Sequence, residues 1–157
     1  MKIGLIVYSY TGNTLAVAER IRDQLQAGGH IATLERVHAQ NEDPQQNRPG
    51  QTSNLTEEPD PAPYDTLILA APVNGFSLAK VMQDYLARRP GLSGKPVRLF
   101  VTHHFPLAWL GGSQTIRQFA RLCEANGARV EATGVIDWSS KKRGQEIDDL
   151  VNRFGQL

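Results

Sequence analysis

Residues 3–8 read IGLIVY, and residues 9–14 read SYTGNT. A short run that is apolar at nearly every position is typical of a parallel strand covered on both faces. The polar turn leads into residues 14–26, in which apolar side chains recur at helical spacing until Gly28 and Gly29 end the pattern. The segment therefore predicts a strand, a tight turn and a helix, which together form the first unit of an α/β fold.

Four more apolar runs follow at intervals, at residues 31–37, 64–71, 96–102 and 129–137. Pro72 is expected to end the run at 64–71. Helical patterns lie between and after these runs: a stripe from Leu78 to Leu86, residues 114–125, and an amphipathic stretch ending near Phe154. Strands that alternate with helices predict right-handed crossovers and a parallel sheet with helices on both faces.

Residues 38–63 break this alternation. The segment holds five prolines, and Leu55 is its one large aliphatic residue. Such a composition favours an exposed, irregular loop where the second crossover would otherwise carry a helix. We expect this loop to belong to a single domain spanning residues 1–157.

Composition excludes several classes of protein. A chain of 157 residues suits one domain, and a formal net charge of +1 gives no bulk signal for nucleic acid or a membrane surface. The single Cys123 can form neither an internal disulfide nor a cysteine-based zinc site, and its helical position predicts a core residue. No apolar run is long enough to span a bilayer, so we expect a cytoplasmic protein without a nucleic-acid or membrane partner.

The turn at residues 9–14 is the best candidate binding site. It lies where a strand of an open parallel sheet ends and a helix begins, and free N–H groups at that position favour an anion. Its own donors are neutral, since no Lys or Arg lies between Lys2 and Arg20. The turn lacks the Gly-Lys-Ser/Thr triplet of the P-loop and the three spaced glycines of the dinucleotide fingerprint. The alternative is a helix that is merely well capped by Ser, Thr or Asn.

SYTGNT resembles the (Ser/Thr)-x-Thr-Gly-x-Thr phosphate loop of the flavodoxin-like family of FMN proteins. The likeness covers nearly the whole chain, and it implies a three-layer sandwich around a five-stranded parallel sheet of order 2-1-3-4-5. It also implies an FMN cofactor whose phosphate is held by the turn, that is, by Ser9, Tyr10, Thr11, Gly12, Asn13 and Thr14.

The resemblance implies a second flavin loop after the third long strand, formed by Pro72, Val73, Asn74, Gly75 and Phe76. In flavodoxins a peptide in this loop flips so that its carbonyl accepts a hydrogen bond from N5 of the reduced flavin, and Asn74–Gly75 is the candidate here. An ordinary tight turn is the alternative, because Gly accepts positive φ at no steric cost. Phe76 either stacks on the flavin ring or pins the next helix to the core.

A third flavin loop is implied after the fourth long strand, with the candidates Thr102, His103, His104, Phe105, Trp109, Gly111 and Gly112. Phe105 or Trp109 would cover the ring, and the glycines ahead of the helix would leave room for it. A histidine here donates a hydrogen bond to a flavin or substrate oxygen, or the loop is simply polar. We reject a metal site, since successive side chains of an extended backbone diverge and no further ligands complete the set.

The leading functional prediction is an FMN-dependent electron carrier without catalytic residues of its own, which exchanges electrons with a redox partner protein or a small-molecule donor or acceptor. An FMN-dependent NAD(P)H or quinone oxidoreductase is the second reading, and a flavodoxin-like binding module without flavin is the third. Electron-carrying flavodoxins are typically strongly acidic, whereas this chain has a net charge near zero. We therefore expect a less negative second reduction potential. The oligomeric state stays open.

Overall fold

The computed structural model describes residues 1–44, 52–88, 90–104 and 108–157, with the backbone alone for 108–111. In these ranges the strands are β1 (Lys2–Val7), β2 (Ile31–Arg36), β3 (His38–Ala39), β4 (Leu55–Glu57), β5 (Thr66–Asn74), β6 (Ser77–Leu78), β7 (Pro96–His103) and β8 (Arg129–Asp137). The helices are α1 (Asn13–Ala27), α2 (Lys80–Ala87), α3 (Ala108–Ala125) and α4 (Arg143–Phe154).

The long strands form a parallel sheet in the order β2-β1-β5-β7-β8, and the short β6 pairs antiparallel with β5. This confirms the predicted order 2-1-3-4-5. The chain leaves β1 to form β2 on one side and later returns to form β5 on the other, so β1 lies at the point where the strand order reverses. Ligands of such sheets bind at that point, beyond the carboxyl ends of the strands.

Helices cover both faces of the sheet, as predicted. Leu5 and Val7 of β1 pack with α1 and α4, whereas Ile6 and Tyr8 face the cluster formed with α2 and α3. Burial on both faces explains why the β1 sequence is apolar without alternation. Among the helices in the described ranges, none combines the length and hydropathy that a bilayer-spanning segment needs.

The prediction that Pro72 ends its strand is wrong, because β5 continues to Asn74. Pro72 pairs in parallel register with Thr102 of β7, and its carbonyl accepts a hydrogen bond from the N–H of Ala79 at 3.1 Å. On its other side the pairing of β5 with β1 has already ended, at Ala70. A proline is tolerated there because no neighbouring strand needs its missing N–H.

The prediction that the third helix begins at Gln114 is also wrong. Helix α3 begins at Ala108, so Gly111 and Gly112 lie inside it and not in a loop ahead of it. A Cβ at Gly112 would lie 2.6 Å from Cγ1 of Val135 and 3.1 Å from Nε2 of His103. Glycine is therefore required by the close approach of α3 to the sheet, which outweighs its helix penalty of about 1 kcal/mol.

The described parts of the segment 38–63 contain the antiparallel pair β3–β4 and otherwise mostly irregular backbone. The segment is attached to α2, since the N–H of Ser53 donates to Oδ2 of Asp84 at 2.7 Å and the hydroxyl of Tyr85 donates to the carbonyl of Pro59. Leu55 packs against the cluster beneath. These contacts hold the segment against α2.

Gly4 gives a direct test of the packing in this fold. A Cβ at Gly4 would overlap the ring of Tyr64, so Gly4→Ala is expected to lower the free energy of unfolding by about 1–3 kcal/mol. Gly144, in the first turn of α4, has open space around its Cα, and Gly144→Ala should raise the free energy of unfolding by up to about 1 kcal/mol. Urea titration measures both, and shifts of the same sign would contradict the packing described here.

Candidate functional site

The turn between β1 and α1 presents unpaired backbone donors. Gly12 is the N-cap of α1, with φ 97° in the left-handed region, and as a glycine it has no side chain of its own to cap the helix. The N–H of Leu15 is satisfied by Oγ of Ser9 at 3.2 Å. Within the described ranges, the N–H groups of residues 11–14 meet no protein acceptor. Ser9 therefore caps one N–H of the first turn, as the capping alternative expects. The N–H groups of residues 11–14 stay open to an anion, as the binding interpretation requires.

The hydroxyl side chains of the turn divide into two groups. Ser9 and Thr14 are buried, whereas Thr11 is exposed. Oγ1 of Thr14 lies 2.8 Å from Oγ1 of Thr102, which is also buried. Thr14 therefore ties the turn to the end of β7, and the hydroxyl of Thr11 is the one that faces solvent beside the open N–H groups.

The first and third predicted loops come together in the structure. Besides the threonine pair, Nδ2 of Asn13 lies 3.1 Å from Nε2 of His104. His104 is exposed, and it follows directly after β7. These contacts bring together residues that the sequence predicts to bind one cofactor.

Arg36 was not predicted as part of this site. It ends β2, and its Nη2 donates to the carbonyl oxygen of Ser9 at 2.9 Å. The guanidinium thus places a positive charge behind a turn whose own donors are neutral. Strand order and register could have located it, because Arg36 pairs with Val7, two residues before Ser9.

The second predicted loop is a β-hairpin between β5 and β6. Asn74 pairs with Ser77, and Gly75 has φ 63° at the first central position of the turn, where hairpins need glycine. Pro72 and Val73 belong to β5 itself. The side chain of Phe76 is 65% exposed, which excludes the reading that it pins the next helix to the core.

The adjacent histidines of the third loop occupy different environments, as expected for extended backbone. His103 is 2% exposed and lies beside Gly112 under α3, and neither of its ring nitrogens has a hydrogen-bond partner in the described part of the chain. His104, at the exposed edge, is the histidine that contacts the first loop. Phe105 lies outside the described residues, and so does the side chain of Trp109.

The thiol of Cys123 takes no part in the site. Cys123 is buried in the α2–α3 cluster, and burial, with a smaller contribution from Glu124, raises its pKa to about 12. A thiol with so high a pKa is protonated at neutral pH and is a poor nucleophile.

The residues present fit the phosphate of FMN, the cofactor that the resemblance implies. The open N–H groups of residues 11–14, the exposed hydroxyl of Thr11 and the positive end of the α1 dipole all favour an anion. Of the residues that the structure describes, none lies within 4 Å of the Cβ position at Gly12, so from their side the approach to these donors is open. The aromatic side chains of Tyr10 and Phe76 are 51% and 65% exposed.

No protein-family model and no curated protein matches the sequence. The fold, however, matches solved structures over nearly the full chain. The flavodoxin from Streptococcus pneumoniae TIGR4 is 19% identical with a TM-score of 0.69, over 99% of this chain and 96% of that one. Flavodoxin 1 from Bacillus cereus is 17% identical with a TM-score of 0.66, over 100% and 99% of the two chains. A flavoprotein in complex with FMN from Lactobacillus acidophilus NCFM is 18% identical with a TM-score of 0.65, over 94% and 97%. The chain has the flavodoxin-like fold.

The buried pair of Thr14 and Thr102 is expected to show strong energetic coupling. Thr14→Val leaves the hydroxyl of Thr102 buried without its partner, which costs about 1–3 kcal/mol of unfolding free energy, and Thr102→Val has the same effect in reverse. The double variant should recover most of that loss, because replacing both partners by apolar groups of similar shape is nearly neutral. Urea titration of the four proteins gives the coupling energy, and strictly additive losses would show that the pair does not form.

Proposed function

We propose that this flavodoxin-like protein binds FMN and carries electrons between redox partners. The observation that carries the proposal is the set of open N–H groups at residues 11–14, at a helix start whose N-cap is the left-handed Gly12. The fold supports a flavin in particular, since flavodoxins share it and one protein of the same fold contains FMN.

Each part of the site has a distinct task in this proposal. The N–H groups and the hydroxyl of Thr11 bind the phosphate. Arg36 donates a hydrogen bond to the carbonyl oxygen of Ser9, so that this oxygen is occupied, and adds a positive charge near the phosphate. Bound FMN supplies one- and two-electron redox chemistry. The Asn74–Gly75 peptide offers the Asn74 carbonyl oxygen as a hydrogen-bond acceptor that can turn toward or away from the ring, because no atom of the described residues lies within 4 Å of the Cβ position at Gly75.

A carrier is favoured over an oxidoreductase by the positions of the glycines. Gly111 and Gly112 lie within α3, and Gly112 is packed against His103 and Val135, so these glycines do not form the open stretch ahead of the helix that was expected to leave room for the ring. The exposed His104 beside Asn13 is the observation that favours an NAD(P)H or quinone oxidoreductase. A redox partner protein and a cytoplasmic location remain predictions.

The proposal is tested on the purified protein mixed with FMN. We expect a yellow complex that is reduced in two separable one-electron steps and that turns over NAD(P)H slowly in air. Rapid aerobic oxidation of NAD(P)H would favour the oxidoreductase, and a protein that stays colourless would favour a binding module without flavin.

Thr11→Val should weaken FMN binding by about 1–2 kcal/mol, since it removes one hydrogen bond to a charged phosphate. Thr56, which is exposed in β4, provides the control, because Thr56→Val removes a hydroxyl outside the turn and should leave FMN affinity unchanged. Quenching of flavin fluorescence measures both affinities. Equal affinities for the two variants would remove Thr11 from the phosphate site.

Gly75→Ala should bring the two one-electron midpoint potentials closer together, because a Cβ restricts the rotation of the Asn74–Gly75 peptide at φ 63°. Gly91→Ala is the matched control: Gly91 has φ 84° and the same open surroundings but lies between α2 and β7. Redox titration with FMN bound should show a change for Gly75→Ala alone. If both variants keep the wild-type potentials, the peptide does not respond to the redox state.

The second reduction potential should be less negative than that of an acidic flavodoxin. The two-electron-reduced flavin carries negative charge, and the net charge of +1 together with Arg36 repels it less than a strongly acidic surface does. Spectroelectrochemistry at low salt measures this potential. A strongly negative value would mean that the flavin environment, and not the overall charge, sets it.

A further inference from the structure

One exposed face of α3 forms a groove with the tip of the β5–β6 hairpin. The groove has a volume of about 500 Å³ and is lined by Phe76, Gln114, Arg117, Gln118 and Arg121. Residues three, four and seven positions apart lie on the same side of a helix, so both arginines face the same way. We refer to these five residues as the basic groove.

Hydrogen bonds hold the two walls of the basic groove together. Oε1 of Gln118 accepts from the N–H of Leu78 at 2.9 Å and from the hydroxyl of Ser77 at 3.1 Å. Nε of Arg117 donates to the carbonyl of Ser113 at 3.1 Å, which directs that side chain along the helix. Phe76, next to Ser77, is therefore kept at a fixed place beside the arginines.

The basic groove carries positive charge that no carboxylate in the described part of the chain neutralises through an ion pair. Arg117 and Arg121 are exposed, and neither forms an ion pair with a residue in the described ranges. Glu124, one turn beyond Arg121, is exposed and does not pair with it. On the neighbouring α2, by contrast, Lys80 is paired with Asp84 at 3.0 Å.

We propose that the basic groove docks the acidic surface of a redox partner protein. Arginine guanidinium groups bind carboxylates in a bidentate manner, and arginine beside an exposed aromatic ring is typical of the energetic centre of a protein interface. The proposal rests on the proposed function. Gly75 lies in the hairpin turn that is expected to contact FMN, and Phe76 of the basic groove is the next residue along the chain. A partner held there lies next to the flavin loop.

An open groove on the surface of one helix suits a protein better than a small anion. Its walls are side chains of a helix face and a hairpin tip, and the part of α3 that forms it lies beyond the first turn, where helix N–H groups are bonded within the helix. The charge of the basic groove is also opposite in sign to the surface charge of an acidic flavodoxin, which docks on basic partners. The partner of this chain should therefore be acidic at its docking surface.

The test uses a fluorescein-labelled oligoglutamate peptide as the acidic probe, with the full chain both saturated with FMN and without added FMN. Arg117→Glu/Arg121→Glu should weaken binding of the peptide at least about tenfold at low ionic strength. Lys141→Glu/Lys142→Glu is the matched control, since it changes the net charge equally at exposed positions near the start of α4, on the opposite face of the sheet. That variant should bind the peptide nearly as well as the wild type.

Electron transfer gives a second readout on the FMN complex. Ferricyanide, an anionic acceptor, should reoxidise the photoreduced wild-type protein several-fold faster than the Arg117→Glu/Arg121→Glu variant at about 0.01 M salt, and the rates should converge at about 1 M. The Lys141→Glu/Lys142→Glu variant should stay close to the wild type at both salt concentrations.

Three results would overturn the docking proposal: no binding of the peptide to the wild type, equal losses in both double variants, or displacement of the peptide by inorganic phosphate far beyond that by chloride at equal ionic strength. The last result would identify a small-anion site in its place. Failure of the chain to take up FMN would instead contradict the proposed function, and the peptide titration without FMN would still test the basic groove.

Discussion

Parallel pairing of β1 with both β2 and β5 is the constraint on which the rest of this molecule depends. It buries β1 on both faces, which requires the continuous apolar sequence of residues 3–7, and it brings the start of α1 to the edge where the strand order reverses. Because the first N–H groups of a helix have no partner within it, that edge acquires a set of open donors. Gly12, at the N-cap in a left-handed conformation, brings no side chain of its own to cap them.

The loops at this edge are held in place by a small number of polar contacts. Thr14 and Thr102 share a buried hydrogen bond between the first turn of α1 and the end of β7, and Asn13 contacts His104 beside them. Arg36 fixes the Ser9 carbonyl from the other side. The turn at residues 9–14 is therefore positioned by the sheet. A site that is ordered before its ligand binds has a lower entropic cost of binding.

The strand order and the strand, turn and helix of residues 3–27 could be predicted from the sequence because both follow from local patterns: apolar runs, helical spacing and the residues SYTGNT. The pairing of Thr14 with Thr102 could not, since it joins positions 88 residues apart and depends on the register of three strands. Gly112 shows another limit. In the sequence it is a helix breaker, whereas in the structure the approach of Val135 and His103 makes glycine the residue that fits. Tertiary packing outweighed local propensity at that position, and likewise at Pro72.

The central claim is that the turn recognises the phosphate of a flavin mononucleotide, and a paired titration with FMN and riboflavin tests it most directly. Riboflavin has the same ring without the phosphate, so the difference in affinity isolates what the turn contributes. Calorimetric titration should show FMN binding at least about a hundredfold more tightly, the equivalent of two charge-assisted hydrogen bonds or more. Equal affinity for the two compounds, or binding of neither, would contradict the account.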